Sequence, residues 1–191
     1  MLQGKPKQNP RREPIMEGDE PSTLMCTVVA IDHTNFCYRV CSICDRTLPE
    51  ITNTSTNTSS SSSPLPLCKY CNFNNAINPS RSTSKRLFRI LMSIASDTKV
   101  FVVIMFDRAA RVLFGCSADE FFDFAKLHPF TGTQSETAAK VLEGEMLRVT
   151  LSKPKNGNAQ HQRVVAVVPL RSGFRPAIET LRELYGVTVG S

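Results

Sequence analysis

The sequence contains no tryptophan, three tyrosines and three histidines. Without Trp the strongest aromatic stacking platform is missing. His33, His128 and His161 are not followed by Glu two places on, so the H-x-E of the zinc deaminases is absent. No P-loop and no G-x-S-x-G occurs either. Catalysis is therefore not expected. No apolar run approaches the roughly 20 residues of a bilayer span, which excludes a membrane helix. The opening MLQGKPKQNPRREPIMEGDEPS lacks the apolar stretch of a signal peptide. The chain is accordingly expected in a reducing compartment, where cysteines serve as thiols or metal ligands rather than disulfides. Their odd number, seven, argues the same way.

What is present is a doubled C-x₂-C step, Cys41/Cys44 and Cys68/Cys71. Each step turns two thiolates inward on a tight knuckle, and two knuckles offer four sulfurs at the corners of a tetrahedron. The paired pattern is far more specific than a single C-x₂-C. It predicts a structural Zn²⁺ on Cys41, Cys44, Cys68 and Cys71, with a closed coordination sphere and no open position for water or substrate. Cys26, Cys37 and Cys116 read as small buried hydrophobes, Cys37 being the nearest rival ligand.

The chain of 191 residues carries a net charge of +6. In the first 22 residues Lys5, Lys7, Arg11 and Arg12 are balanced by Glu13, Glu17, Asp19 and Glu20, so the excess lies beyond them. A moderately basic domain suits an anionic partner, nucleic acid being the usual one, but it also suits a merely solvated surface. Residues 1–22 are Pro-rich and charged and read as a disordered arm. A single domain is expected over 23–187, with a ribbon insertion at about 36–80. Its tip, 52–63 (TNTSTNTSSSSS), is low-complexity.

The remaining segments have clear periods. Residues 24–31 (LMCTVVAI) read as a strand, and 35–40 lead into the first knuckle. In 86–94 (RLFRILMSI), Phe88, Ile90, Met92 and Ile94 alternate with Leu87, Arg89, Leu91 and Ser93. A turn at 96–98 joins this strand to the apolar 99–106 (KVFVVIMF), forming a hairpin. Asp107 is expected to cap a helix over 108–114. Ser117 and Glu120 form a capping box for 118–127, and Thr133 with Glu136 repeats the signal before 137–142. Strands at 146–151 and 163–168 follow, joined by KPKNGNAQ with its Asn156-Gly157 turn. A last helix at 174–185 carries Pro176 in its first turn.

Five strands with helix between the third and fourth is the element order of an OB-fold. Another small β-barrel or an α+β sandwich has a similar order. The fold expected is all-β dominated: a five-stranded OB-fold barrel with an inserted four-cysteine zinc ribbon and flanking helices.

The runs NFCYRVCSIC (35–44), LCKYC (67–71) and KRLFRILMSIASDTKVFVVIMFDRAARVLFGCSADEF (85–121) add a family resemblance. They are similar to the C-terminal DNA-binding domain of the large subunit of replication protein A. The likeness is carried by Phe88-Arg89-Ile90 after the second knuckle, by Phe106-Asp107, and by the stretch from Leu113 to Glu120. It covers about residues 24–185. It implies a zinc-containing OB-fold that binds single-stranded DNA in replication, repair or recombination, in the nucleus. The stretch 45–67 between the cysteine pairs is longer than the family pattern, and no second OB segment is present.

An OB groove runs over the strand 2–3 face, beside the loop between strands 4 and 5. Binding single strands there requires cations to follow the phosphates and flat side chains on which bases stack. The cations expected at that edge are Lys69, Arg86, Arg89, Lys99, Lys153, Lys155 and Arg163, with Arg81 and Lys85 nearby. The expected stacking residues are Tyr38, Tyr70 and Phe101, with Phe73 a further candidate. Phe88, Phe106, Phe121, Phe122 and Phe124 read as core or helix packing. On the last helix Phe174, Ile178, Leu181, Leu184 and Tyr185 form a stripe. It suits either core packing or, as the resemblance implies, assembly with small subunits of a replication protein A-like trimer. Two functions follow: a single-stranded-DNA-binding module, or a scaffold that assembles proteins with little DNA affinity.

Overall fold

The strand Ser84–Ala95 (β3) organises the molecule, because from Phe88 to Ile94 its alternation gives it a wholly apolar face. Phe88, Ile90, Met92 and Ile94 on that face are completely buried. The computed structural model describes residues 20–49, 68–71, 84–128, 134–154 and 159–186. Among these, β3 is joined by β1 (Ser22–Ile31), β2 (Cys37–Cys41), β4 (Val100–Phe106), β5 (Met146–Ser152) and β6 (Gln162–Pro169). The helices are α1 (Asp107–Phe114), α2 (Ala118–Leu127), α3 (Gln134–Leu142) and α4 (Ala177–Leu184). Residues 1–19 of the expected arm 1–22, the expected ribbon tip 52–63 and the Asn156-Gly157 turn lie outside the described residues, and Ser22 opens β1.

The strands close on themselves. β1 pairs antiparallel with β5 along one edge and with the far end of β3 along the other. β5 pairs with β6, β6 runs parallel to β4, and β4 forms the hairpin with β3. The ring β1-β5-β6-β4-β3 is the closed five-stranded OB barrel. β2 is an additional strand that pairs with the outer half of β3, from Cys37–Phe88 to Cys41–Ser84. β1 and β2 thus lie end to end along one partner. Between them Asp32 accepts hydrogen bonds from the Thr34 N–H at 2.9 Å and the Thr34 hydroxyl at 2.6 Å. This Asx turn redirects the chain and sends Phe36 inward.

Phe36, Phe88, Phe114 and Phe121 plug one end of the barrel. Phe114 meets Phe88 at 4.7 Å, Phe36 at 5.2 Å and Phe121 at 5.6 Å between ring centroids. Stacked and edge-to-face pairs of this kind contribute about 0.5–1.5 kcal/mol each beyond the area they bury.

The capping box at Ser117 forms in both directions. The Glu120 N–H donates to Ser117 Oγ at 3.2 Å, and the Ser117 N–H donates to Glu120 Oε2 at 2.7 Å. Asp107 differs from expectation. Phe106 occupies the cap position without a side-chain bond, and Asp107 is the first helical residue. Its carboxylate accepts from the Phe88 N–H at 3.3 Å and from Arg111 Nε at 2.8 Å. The acid sits where the helix dipole favours it and also ties α1 to β3. Pro176 likewise stands at the cap of α4, ahead of the first turn.

Gly115 ends α1 in the left-handed region at φ 73°, and a Cβ there would stand 2.4 Å from Pro176 Cβ. Gly115→Ala therefore combines backbone strain with overlap against a rigid ring. We expect a loss of roughly 3 kcal/mol, read as a lowered midpoint in urea with an unchanged m-value.

Candidate metal centre and nucleic-acid interface

The first knuckle is a tight hairpin over residues 39–48. The Leu48 N–H donates to Arg39 O at 2.9 Å, and the Cys41 N–H donates to Arg46 O at 2.9 Å. The Asp45 N–H closes the turn on Cys41 O at 3.0 Å. Asp45 takes φ 56°, a region that Asp tolerates better than most residues. Lys85 of β3 holds its carboxylate at 2.7 Å. In the second knuckle the Cys71 N–H donates to Cys68 O at 3.1 Å.

These turns bring the four sulfurs of Cys41, Cys44, Cys68 and Cys71 within 4.8 Å of one another. The Cys44–Cys68 separation is 3.7 Å. Four thiolates bound tetrahedrally at about 2.3 Å from one ion stand about 3.8 Å apart, so the set fits such an ion. None of the seven cysteines is in a disulfide. Burial acts to raise the Cys41 thiol, but the N–H groups of Cys44 and Ile43 outweigh it and bring it down to about 7. Cys71 is pushed up to about 12, chiefly by its hydrogen bond to the Cys44 thiol and then by burial. Four sulfurs this close do not all ionise unless a cation shares the site. Buried Leu48 packs against Cys41 and Cys68 in a small core separate from that of the barrel. Cys37 lies outside the quartet and packs on the barrel core instead.

The outer faces of β3, β4 and β6 and the end of β5 enclose an open groove of about 930 Å³. Arg89, Phe106, Lys153, His161 and Arg163 line it, with aliphatic Leu91, Ile104 and Val165 as its floor. Among the described residues that line it there is no Asp or Glu. Register explains the grouping. Arg89 stands opposite Phe106, and Ile104 stands beside Arg163 across the parallel pairing. The Arg163 guanidinium carbon lies 4.9 Å from the centre of the Phe106 ring. Tyr38 of β2 meets the same ring edge-on at 6.2 Å. The Tyr38 hydroxyl is held protonated to higher pH by burial and then by the Asp107 carboxylate, with Arg163 opposing. Two rings, set nearly perpendicular to one another, and a guanidinium thus make a contiguous aromatic–cationic cluster.

Of the residues expected at a groove, Arg89, Lys153 and Arg163 line this one, and Tyr38 borders it. Arg86 does not, because it has the parity of Phe88 and lies on the other face of β3. Its N–H and guanidinium bind the Asp119 carboxylate at 3.1–3.3 Å, and the guanidinium stands over Phe122 at 5.4 Å. Phe101 is half-buried, shares the inward parity of Val103 and Met105 and packs on the core. Lys99 lies over the Phe101 ring at 4.9 Å, at the hairpin end of β3–β4 rather than among the groove residues. Lys69 and Tyr70 are exposed on the second knuckle, where Arg46 stacks on Tyr70 at 3.7 Å. Lys155 and Phe73 lie outside the described residues.

Phe106 is the groove residue that the sequence pattern places in the core. In KVFVVIMF both faces of the strand are apolar, so alternation does not say which one faces out. The terminal stripe divides. Ile178 and Leu181 are buried in the chain's own core, and Phe174 and Tyr185 pack against it. Leu184 is exposed.

No protein-family model and no curated protein matches the sequence. Solved structures do match the fold. One is a replication protein A heterotrimer bound to single-stranded DNA, at TM-score 0.55 and 16% identity over 90% of this chain and 37% of that one. Another is yeast replication protein A bound to single-stranded DNA, at TM-score 0.54 and 14% identity over 94% of this chain and 92% of that one. The chain thus spans little more than a third of the first of these. With its closed barrel and four-cysteine cluster it has the architecture of an OB-fold domain with a candidate metal site of four cysteines.

Proposed function

We propose that this chain binds single-stranded DNA in the groove between β3, β4 and β6, and that its four-cysteine cluster holds a structural Zn²⁺. The observation that carries the reading is the composition of the groove. Arg89, Lys153 and Arg163 flank Phe106 and Tyr38, and among the described residues no carboxylate lines the channel. Cations suit phosphates, and the faces of aromatic rings and of a guanidinium suit unstacked bases. Duplex DNA hides its base faces, so it gains only the charge term. Zinc is favoured for the metal because four thiolates in a closed tetrahedral set select a soft ion that needs no open coordination position. Likeness to structures bound to single-stranded DNA supports the same reading. Action in DNA replication, repair or recombination, and with it a nuclear location, follows from that reading. A binding role uses no reacting group, so we assign no catalysis.

Assembly with small subunits through α4 ranks second. Within the expected stripe Leu184 alone faces solvent, at 63% exposure. A contact built on α4 would therefore use its outer edge rather than the whole stripe.

The deciding experiment is a titration of zinc-loaded protein with fluorescent oligo-dT at low and high salt, with duplex as competitor. Three phosphate contacts give a log–log salt slope of about −2 for single strands. Arg89→Ala should reduce that slope by about 0.7. Arg86→Ala should leave it unchanged, because Asp119 already holds that guanidinium. Equal affinity for duplex, or no binding at low salt, would refute the proposal.

A further inference from the structure

One groove residue has a task that fixed charges do not cover. His161 stands in the wall of the channel, half-buried, next to Gln160 and just ahead of Arg163. The charged groups of the surrounding elements are Arg89 from β3, Lys153 beyond the end of β5, and Arg163 from β6. β4 contributes Phe106 and Ile104, and β2 contributes the Tyr38 hydroxyl at the border. The acid at this end of the barrel, Asp107, is engaged by Arg111 and by the Phe88 N–H. Among the described lining residues no carboxylate is present to pair with an imidazolium.

Resting on the strand-binding reading above, we infer that His161 is a phosphate contact that takes up a proton when a strand enters the groove. Incoming phosphates would supply the negative charge that the described lining lacks, and a ring in the channel wall can donate to them. Histidine is the side chain whose charge ordinarily changes between pH 5 and 8. The bound complex then holds more protons than the free protein, so affinity rises as pH falls. Arginine and lysine side chains as a class ordinarily keep their charge over that range, which makes the histidine the adjustable member of the set.

Oligo-dT is a suitable probe, because thymine does not titrate near neutrality. Binding should be about fivefold tighter at about pH 6 than at about pH 8. Calorimetry in two buffers of different ionisation enthalpy should show net proton uptake on binding, of up to about one proton. In His161→Gln the ratio between the two pH values should fall to about one, and in His161→Lys binding should be strong at both. Binding that is equally tight at both pH values in the parent overturns the inference and leaves the DNA reading intact. A ratio that survives His161→Gln assigns the proton elsewhere and also overturns it. Absence of binding at both values removes the DNA reading and this inference together. Should the variants fail to fold, zero proton uptake by the parent protein is itself decisive against it.

Discussion

Cys68→Ser, or removal of the metal by a chelator, is expected to melt the ribbon while the barrel survives. Each knuckle is held by a few turn hydrogen bonds and a core of Leu48 and the cysteines themselves. Nothing of that size offsets the conformational entropy of the chain without a metal, and structural zinc releases on the order of 10 kcal/mol in small fingers. Loss should spread into β2, whose last residue is Cys41. The main barrel has its own core and should keep its helices and most of its far-UV signal. Tyr38 lies on β2, so DNA affinity should fall by about tenfold even though no groove cation is touched. Elemental analysis, thermal melting and oligo-dT titration on the same sample test this together. A metal-free, reduced protein with unchanged melting and unchanged binding would defeat both the metal assignment and its link to the groove.

Phe106→Ala should be the most damaging single change in the groove. Its ring is touched by Tyr38 on one side and by the Arg163 guanidinium on another. Removing it takes away a stacking surface and lets both neighbours swing free. Base–aromatic stacking contributes about 1–3 kcal/mol per base, so affinity should drop by between about fivefold and about 150-fold. The salt slope should stay near that of the parent, because no phosphate contact is removed. Phe106→Tyr should restore most of the binding. Phe101→Ala is the contrasting variant: with its inward parity it should cost stability by creating a cavity and affect affinity little. If Phe101→Ala weakens DNA binding more than Phe106→Ala, the groove has been placed on the wrong face.

These two phenylalanines show where the sequence is readable and where it is not. Strand β3 alternates between large apolar and mixed residues, so its buried face can be named residue by residue. The same alternation, carried back two places from Phe88, puts Arg86 on the inward face. An acid on a helix, Asp119, is its partner there, but nothing in the spacing announces that contact. Strand β4 is different. Val100 to Phe106 is apolar at every position, and the faces separate only through the register with β3 and β6. Short-range signals fare well: the doubled cysteine knuckle and the Ser117 capping box form as expected. Long-range ones do not, as with the second hydrogen-bonding role of Asp107 and the inward turn of Phe36. Both depend on which strand ends up beneath which helix.

The barrel has a clasp. Between β4 and β6 the pairing runs from Val103–Gln162 to Met105–Val164, shorter than the other contacts that close the ring. A bracelet opens at its fastening, and fluctuation should concentrate there. Arg89 and Phe106 stand on one side of that join, Lys153 and Arg163 on the other. Cargo laid across the channel would bridge the two halves, so that occupancy itself rigidifies the container.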